Sequence, residues 1–210
     1  MRRMPVYAVS IETVRQLDWT TLAQHMPERM EKAEKFRFER DRLLCIGGGF
    51  LMRHVVGIHD ESELRHGPYG KLSAPGYPSF NLSHSGEWCI LSKSDSEIGV
   101  DIERIDENRL ITLPVFLTPG ELTWMDDDPE RFYQLWTLKE SLLKAVGMGM
   151  ALEPVTVNVL PFVKRQPLYL NGQLWYAATN RIAGYRFSVC ASFPVGSLEW
   201  TELNTSDFEC

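Results

Sequence analysis

The segment Glu97-Ile98-Gly99-Val100-Asp101-Ile102-Glu103 constrains the chain most, because apolar and acidic residues alternate along it. In a strand, side chains point to opposite faces in turn, so Ile98, Val100 and Ile102 share one face while Asp101 and Glu103 share the other, their carboxylates about 6–7 Å apart along the chain. The apolar face asks for a core, and the acidic face asks for solvent or a cation. Magnesium takes oxygen ligands in octahedral geometry, commonly through one or two carboxylates plus substrate phosphates. Taken alone, the segment serves a solvated strand face equally well.

The pattern on either side of this strand predicts an α+β fold. Val6 to Ile11 reads as an N-terminal strand, and Pro27 to Val56 as helix, with Met30, Phe36, Leu43, Leu44, Ile46, Phe50, Leu51, Val55 and Val56 apolar among charges. Three glycines, Gly47 to Gly49, interrupt the helical stretch at roughly 1 kcal/mol each relative to alanine, so either the helix breaks there or something packs closely on its backbone. Gly67 to Pro78 reads as a surface loop. Trp88 to Ser92 and Ile98 to Glu103 read as a hairpin across the polar turn Lys93-Ser94-Asp95-Ser96. A connecting region from Asp106 to Pro129 holds a short helix around Pro119 to Met125, and Arg131 to Gly147 is a long helix ended by Gly147 and Gly149. Beyond it, Val155 to Val159, Leu168 to Leu170, Leu174 to Ala178 and Tyr185 to Ser192 read as a β-meander. Two α+β halves follow, 1–104 and 105–210, and the last residues, to Cys210, read as a loose polar tail.

Composition narrows the class of function. With 210 residues, 44% hydrophobic and 24% charged, the chain can bury a sizeable core. Its N-terminus is too short and too polar in its apolar run for a secretory signal or a membrane span, so a cytoplasmic protein is expected, with no membrane partner. Cys45, Cys89, Cys190 and Cys210 are scattered, which proposes neither zinc nor a disulfide framework. A net charge of −6 argues against a broad basic surface for nucleic acid, whereas a small anionic ligand needs only a local cluster of cations.

Two further constellations carry chemistry. In the helix Leu135 to Gly147, Leu135, Leu138, Leu142, Ala145 and Val146 share one face, and Glu140 and Lys144 stand at i,i+4 on its edge. Such a pair is otherwise a surface ion pair worth about 0.3–0.5 kcal/mol. Phe80 to Trp88 sets small polar side chains around His84, whose imidazole can donate to a phosphate oxygen; a histidine in a polar loop also serves purely structural ends. Gly47 to Gly49 matches neither glycine-rich phosphate-loop pattern.

In order, Asn81-Leu82-Ser83-His84-Ser85, Gly99-Val100-Asp101-Ile102-Glu103 and Trp136-Thr137-Leu138-Lys139-Glu140-Ser141-x-x-Lys144 resemble the signature of the phosphopantetheinyl transferase superfamily, in its monomeric surfactin-synthetase-activating type. Tyr69-Gly70-Lys71 resembles the family's loop before the histidine motif, and Gly184 to Cys190 its late strand, so the resemblance runs from about residue 27 to 192.

The resemblance implies a pseudo-dimer of two similar α+β halves with coenzyme A in the cleft between them. It implies transfer of the 4'-phosphopantetheine arm to a serine of an acyl or peptidyl carrier protein by a monomer. Asp101, Glu103 and Glu140 match the family's ligands for Mg2+, with Mn2+ as the alternative ion. Lys144 matches its pyrophosphate-contacting lysine and His84 its phosphate-contacting histidine. Arg29 and Lys32 fall where the family places cations for the 3'-phosphate, and Lys71 and Ser83 fall near the adenosine end. Glu140, directly or through a water it orients, ranks first as the base for the serine proton. The sequence departs from the family at Leu72, where proline is common after the lysine, and has no arginine at the family's usual spacing a few residues beyond Phe36-x-Phe38-x-x-Asp41, with Arg40 and Arg42 nearby. A non-catalytic module binding coenzyme A or a carrier would lack a carboxylate or the lysine, and an ATP-dependent phosphotransferase would show a glycine loop; neither holds.

Overall fold

The computed structural model describes residues 2–106 and 116–208, and within it the alternating segment is a strand, β6 (Ile98–Arg104), with Ile98, Val100 and Ile102 fully buried. Preceding it come β1 (Arg2–Ser10), the helices α1 (Ile11–Gln16), α2 (Thr20–His25), α3 (Pro27–Glu34) and α4 (Glu39–Leu51), and the strands β2 (Arg65–His66), β3 (Leu72–Ser73), β4 (Ser79–Ser85) and β5 (Trp88–Ser94). After it come α5 (Pro119–Met125), α6 (Pro129–Val146), α7 (Leu160–Val163), β7 (Leu168–Leu170), β8 (Gln173–Ile182), β9 (Tyr185–Ala191) and β10 (Val195–Glu202). Two four-stranded sheets result, ordered β10-β1-β5-β4 and β6-β9-β8-β7, with β2 and β3 forming a small ribbon. The α+β class is therefore as the sequence pattern predicts. Among the described residues no helix is long and apolar enough to cross a membrane.

The expected hairpin between the strands at 88 and 98 does not form. Both edges of β5 are occupied, by β1 on one side and β4 on the other, so β6 turns away and pairs antiparallel with β9, Val100 opposite Val189 and Asp101 opposite Ser188. The C-terminal segment is likewise not a loose tail: β10 runs parallel to β1, and a helical turn at Thr205–Phe208 places Phe208 edge-on to Phe50. Cys210 lies outside the described residues, as does the part of the connecting region at 107–115; Cys45, Cys89 and Cys190 are buried and free.

At Gly47 to Gly49 the second alternative holds. Helix α4 runs unbroken through them, and a Cβ on Gly49 would lie 2.8 Å from Arg29 Cδ while one on Gly47 would lie 3.1 Å from Val14 Cγ2. The helix continues beyond Leu51 as a π-helical turn, Met52–Val56, closed by Gly57 in the left-handed region.

The sheets meet along β4 and β6, an edge strand of each. Asn81, Ser83 and Ser85 accept from the backbone N–H groups of Val100 (2.9 Å), Ile102 (3.4 Å) and Arg104 (3.0 Å), so side chains satisfy an edge that would otherwise stay unpaired. One apolar cluster spans both sheets, with Val6 and Ile90 from the first and Ile98, Val100, Ile102, Phe187 and Val189 from the second. Helix α6 covers the other face of the second sheet with Phe132, Leu135, Leu138 and Leu142.

Gly99 sets how closely α6 can approach. A Cβ there would fall 2.1 Å from Ser141 O and 2.3 Å from Ala145 N, both backbone atoms of α6. Gly99→Ala is expected to cost about 3 kcal/mol or more, the upper end for overpacking, because a helix backbone cannot swing aside as a side chain can. A urea midpoint that falls at constant slope, the shift multiplied by that slope giving this loss, is the expected reading, and an unchanged midpoint would contradict the close approach.

Candidate functional site

With α6 seated on Gly99, the helix edge carrying Glu140 and Lys144 comes over the acidic face of β6. Lys144 Nζ lies 2.6 Å from Asp101 Oδ1 and 2.9 Å from Ser83 Oγ, and the Ser83 hydroxyl donates to Asp101 Oδ1 at 2.9 Å. Asp101 is 3% exposed, and its second oxygen, Oδ2, is buried with no hydrogen-bond partner. A buried acceptor left unpaired is costly, so a donor or a cation reaching this oxygen would be stabilised there.

Glu103 is held at both oxygens. Ser85 Oγ donates to Oε2 at 2.8 Å and Trp136 Nε1 donates to Oε1 at 3.3 Å, the indole lying edge-on to Phe116 and stacked with Phe132. All three carboxyl groups have pKa values pushed above the ordinary range. Burial is the first cause in each; Asp101 raises both glutamates further, Glu103 adds to Glu140, and Lys144 pulls all three back down. A divalent cation would relieve both the burial of charge and the mutual repulsion. Among the described residues, no three His, Cys, Asp or Glu side chains already converge as a metal-ligand set; the ammonium of Lys144 is the cation on Asp101 here.

The other expected site residues fall at varying distance from this cluster. His84 lies on β4 between Ser83 and Ser85, exposed, and lines an open cleft of about 910 Å³ with Arg40, Asp41, Ser85 and Arg104. Its pKa is lowered, first by burial around the ring and then by the charge of Lys144; because its surface is open, Lys144 is the cause with chemical meaning. Lys71 donates to Ala145 O at 2.7 Å, pairs with Glu97, and with Tyr69, Asn81, Leu82, Lys144 and Gly147 lines a smaller pocket of about 230 Å³. Ser83 is buried and engaged by Asp101, Lys144 and Ile102. Arg29, on α3, lies across α4, its Nη1 donating to Cys45 O at 3.2 Å and its Nε buried without a partner, while Lys32, also on α3, is exposed.

Sequence reasoning passed over the residues that hold this geometry from behind. Thr137 is hydrogen-bonded to Ser188 at 2.8 Å, across the interface of α6 and β9. Lys139, 1% exposed, is paired at 2.8 Å with Glu121, 0% exposed, and also donates to Pro154 O at 2.8 Å and to Val157 O, which uses all three ammonium protons. Glu121 in turn accepts from Val159 N at 2.8 Å and Thr118 N at 2.7 Å, the latter completing a capping box at the start of α5. For this reason the expected strand at Val155 to Val159 is instead a helical turn, Pro154–Thr156, leading to α7: buried side chains, not a ladder, satisfy its backbone. The signal available in the sequence was the spacing Thr118-x-x-Glu121.

A family model described as the 4'-phosphopantetheinyl transferase superfamily matches residues 97–190, from the residue before β6 to the penultimate residue of β9. The chain is 30% identical over 191 residues to the 4'-phosphopantetheinyl transferase Sfp of Bacillus subtilis (strain 168), which spans 80% of this chain and 82% of that one. It is 32% identical over 197 residues to the 4'-phosphopantetheinyl transferase gsp of Aneurinibacillus migulanus, 86% of this chain and 82% of the other. Against the 4'-phosphopantetheinyl transferase ffp of Bacillus subtilis the identity is 32% over 190 residues, 80% and 82% of the two chains.

Removing one member of a buried ion pair leaves the other uncompensated. Lys139→Met is therefore expected to destabilise the fold by about 3–5 kcal/mol, with the charge of Glu121 left uncompensated and the carbonyls of Pro154 and Val157 each losing a donor. Chemical denaturation measures this; a loss under about 1 kcal/mol would mean the pair contributes no more than a surface one.

Proposed function

The chain belongs to the 4'-phosphopantetheinyl transferase superfamily and is an enzyme of that kind, and from this premise we propose that it moves the 4'-phosphopantetheine arm of coenzyme A onto a serine of an apo acyl or peptidyl carrier protein, releasing 3',5'-ADP. The observation that carries the proposal is a buried Asp101 with an unpartnered oxygen, paired with Lys144 and near enough to Glu103 and Glu140 for its charge to raise both carboxyls. We place coenzyme A in a cleft between two α+β halves, 1–104 and 105–210, each lending a strand to the other's sheet as β6 pairs with β9 and β10 with β1.

Asp101, Glu103 and Glu140 would hold Mg2+, or Mn2+ in its place; an orphaned acidic oxygen and a set of hard oxygen donors suit such an ion. When bound, the ion supplies charge neutralisation and alignment of the pyrophosphate. In the transfer, the carrier serine Oγ bonds to the phosphorus that bears the pantetheine arm, the bond from that phosphorus to the bridging oxygen breaks, and 3',5'-ADP leaves. Lys144, already in the cluster, donates to pyrophosphate oxygens as charge builds on them, and His84 donates from the open cleft on β4. The serine proton passes to Glu140, directly or through a water that Glu140 orients. Lys71 lines the smaller pocket beside Lys144, where we place the adenosine end, and Arg29 and Lys32 supply cations for the 3'-phosphate on α3.

Incubation with an apo carrier protein, coenzyme A and Mg2+ is expected to add one phosphopantetheine to the carrier, read by intact mass. EDTA and Asp101→Ala are each expected to abolish the gain, and Lys144→Met to lower kcat/KM by about 10²-fold or more. Transfer that persists in EDTA would remove the cation from the account, and no transfer to carriers of fatty-acid, polyketide or peptide synthesis would remove the reaction.

A further inference from the structure

We propose that Ser85 is a positioning residue that aims the carboxylate of Glu103 at the cation, an inference that rests on the metal assignment above. The join between the sheets has a repeating form. Asn81, Ser83 and Ser85 each accept from a β6 backbone N–H 19 residues further along, those of Val100, Ile102 and Arg104. Ser83 and Ser85 also donate to the carboxylates 18 residues further along, Asp101 at 2.9 Å and Glu103 at 2.8 Å. At the Asn81 rung that position is Gly99, which offers no carboxylate. One set of side chains therefore joins the sheets and, at two rungs of three, orients an acidic side chain.

The Ser85 rung matters more for direction than the Ser83 rung. Asp101 is short, 3% exposed and held by Lys144 as well as Ser83, so its orientation is overdetermined. Glu103 has a longer side chain, stands near the end of β6 and is only partly buried. A serine hydroxyl has one proton; because Ser85 Oγ accepts from Arg104 N at 3.0 Å, that proton is free for Glu103 Oε2, and Trp136 Nε1 fixes the other oxygen at 3.3 Å. Residues that orient ligands in this way commonly change metal affinity or activity by about 10–100-fold when removed.

The test is Mn2+ binding to the full-length protein at saturating coenzyme A, followed by the electron paramagnetic resonance of free Mn2+, with Asp101→Ala as the baseline for ion held by coenzyme A alone. Ser85→Ala is expected to weaken Mn2+ binding by about tenfold or more, and to raise the Mg2+ concentration needed for half-maximal activity while kcat recovers at high Mg2+. Ser85→Thr, which keeps the hydroxyl, restores both. Ser92→Ala loses a serine hydrogen bond elsewhere in the first sheet, to Pro5 O at 3.0 Å, and is expected to lower the melting temperature but not Mn2+ affinity. Equal weakening in Ser85→Ala and Ser92→Ala, or wild-type affinity in Ser85→Ala, overturns the proposal while leaving the metal reading intact. Wild-type binding no stronger than Asp101→Ala overturns the metal reading, and this inference with it.

Discussion

Helix α6 rests directly on strand β6 because Gly99 has no side chain to hold it away, and the candidate site exists only at that separation. The approach brings Lys144 to 2.6 Å from Asp101, a residue 43 positions earlier in the chain, and sets Glu140 within the field of Asp101 and Glu103. Much of the surrounding structure maintains this one contact. Thr137 bonds to Ser188 behind the helix, and Lys139 is sunk into a buried network with Glu121 and the 154–159 backbone, so α6 can neither rotate nor slide without breaking them.

Gathering three carboxylates works against folding. Two like charges about 6–7 Å apart, the spacing of alternate residues along a strand, repel by about 2.5 kcal/mol at an effective dielectric of about 20, a sizeable share of a net stability of about 5–15 kcal/mol. The protein offsets this locally: Lys144 neutralises Asp101, Ser83 and Ser85 donate to Asp101 and Glu103, and Trp136 donates to Glu103. Asp101 Oδ2 is left without a partner, and the carboxyl pKa values stay raised. A divalent cation bound there, as proposed above, would relieve both costs and stabilise the fold by mass action.

Features of short period were legible in the sequence. The two-residue alternation at 98–103 put Asp101 and Glu103 on one face, and the i,i+4 spacing put Lys144 beside Glu140. What depended on partners distant in sequence was not. A polar turn between two strands could not reveal that both edges of β5 were taken by β1 and β4, so the hairpin reading failed. Val155 to Val159 has strand-like composition, but a buried lysine and glutamate satisfy its backbone, and that pairing has no local signature. Ser83, read as a ligand contact, is occupied by Asp101, Lys144 and the β6 backbone, while Ser85, unread, turns out to hold Glu103. The glycine triplet left two alternatives open, and only the packing of Arg29, Leu22 and Val14 on α4 decides between them.

The central claim is that Asp101, Glu103 and Glu140 form one cation site completed by coenzyme A. Anomalous diffraction from crystals grown with coenzyme A and Mn2+ tests it most directly. The account predicts a manganese peak ligated by these three side chains, with Asp101 Oδ2 no longer unpartnered. A peak held by other residues, or bound coenzyme A with Lys144 as the sole cation on Asp101, would contradict it.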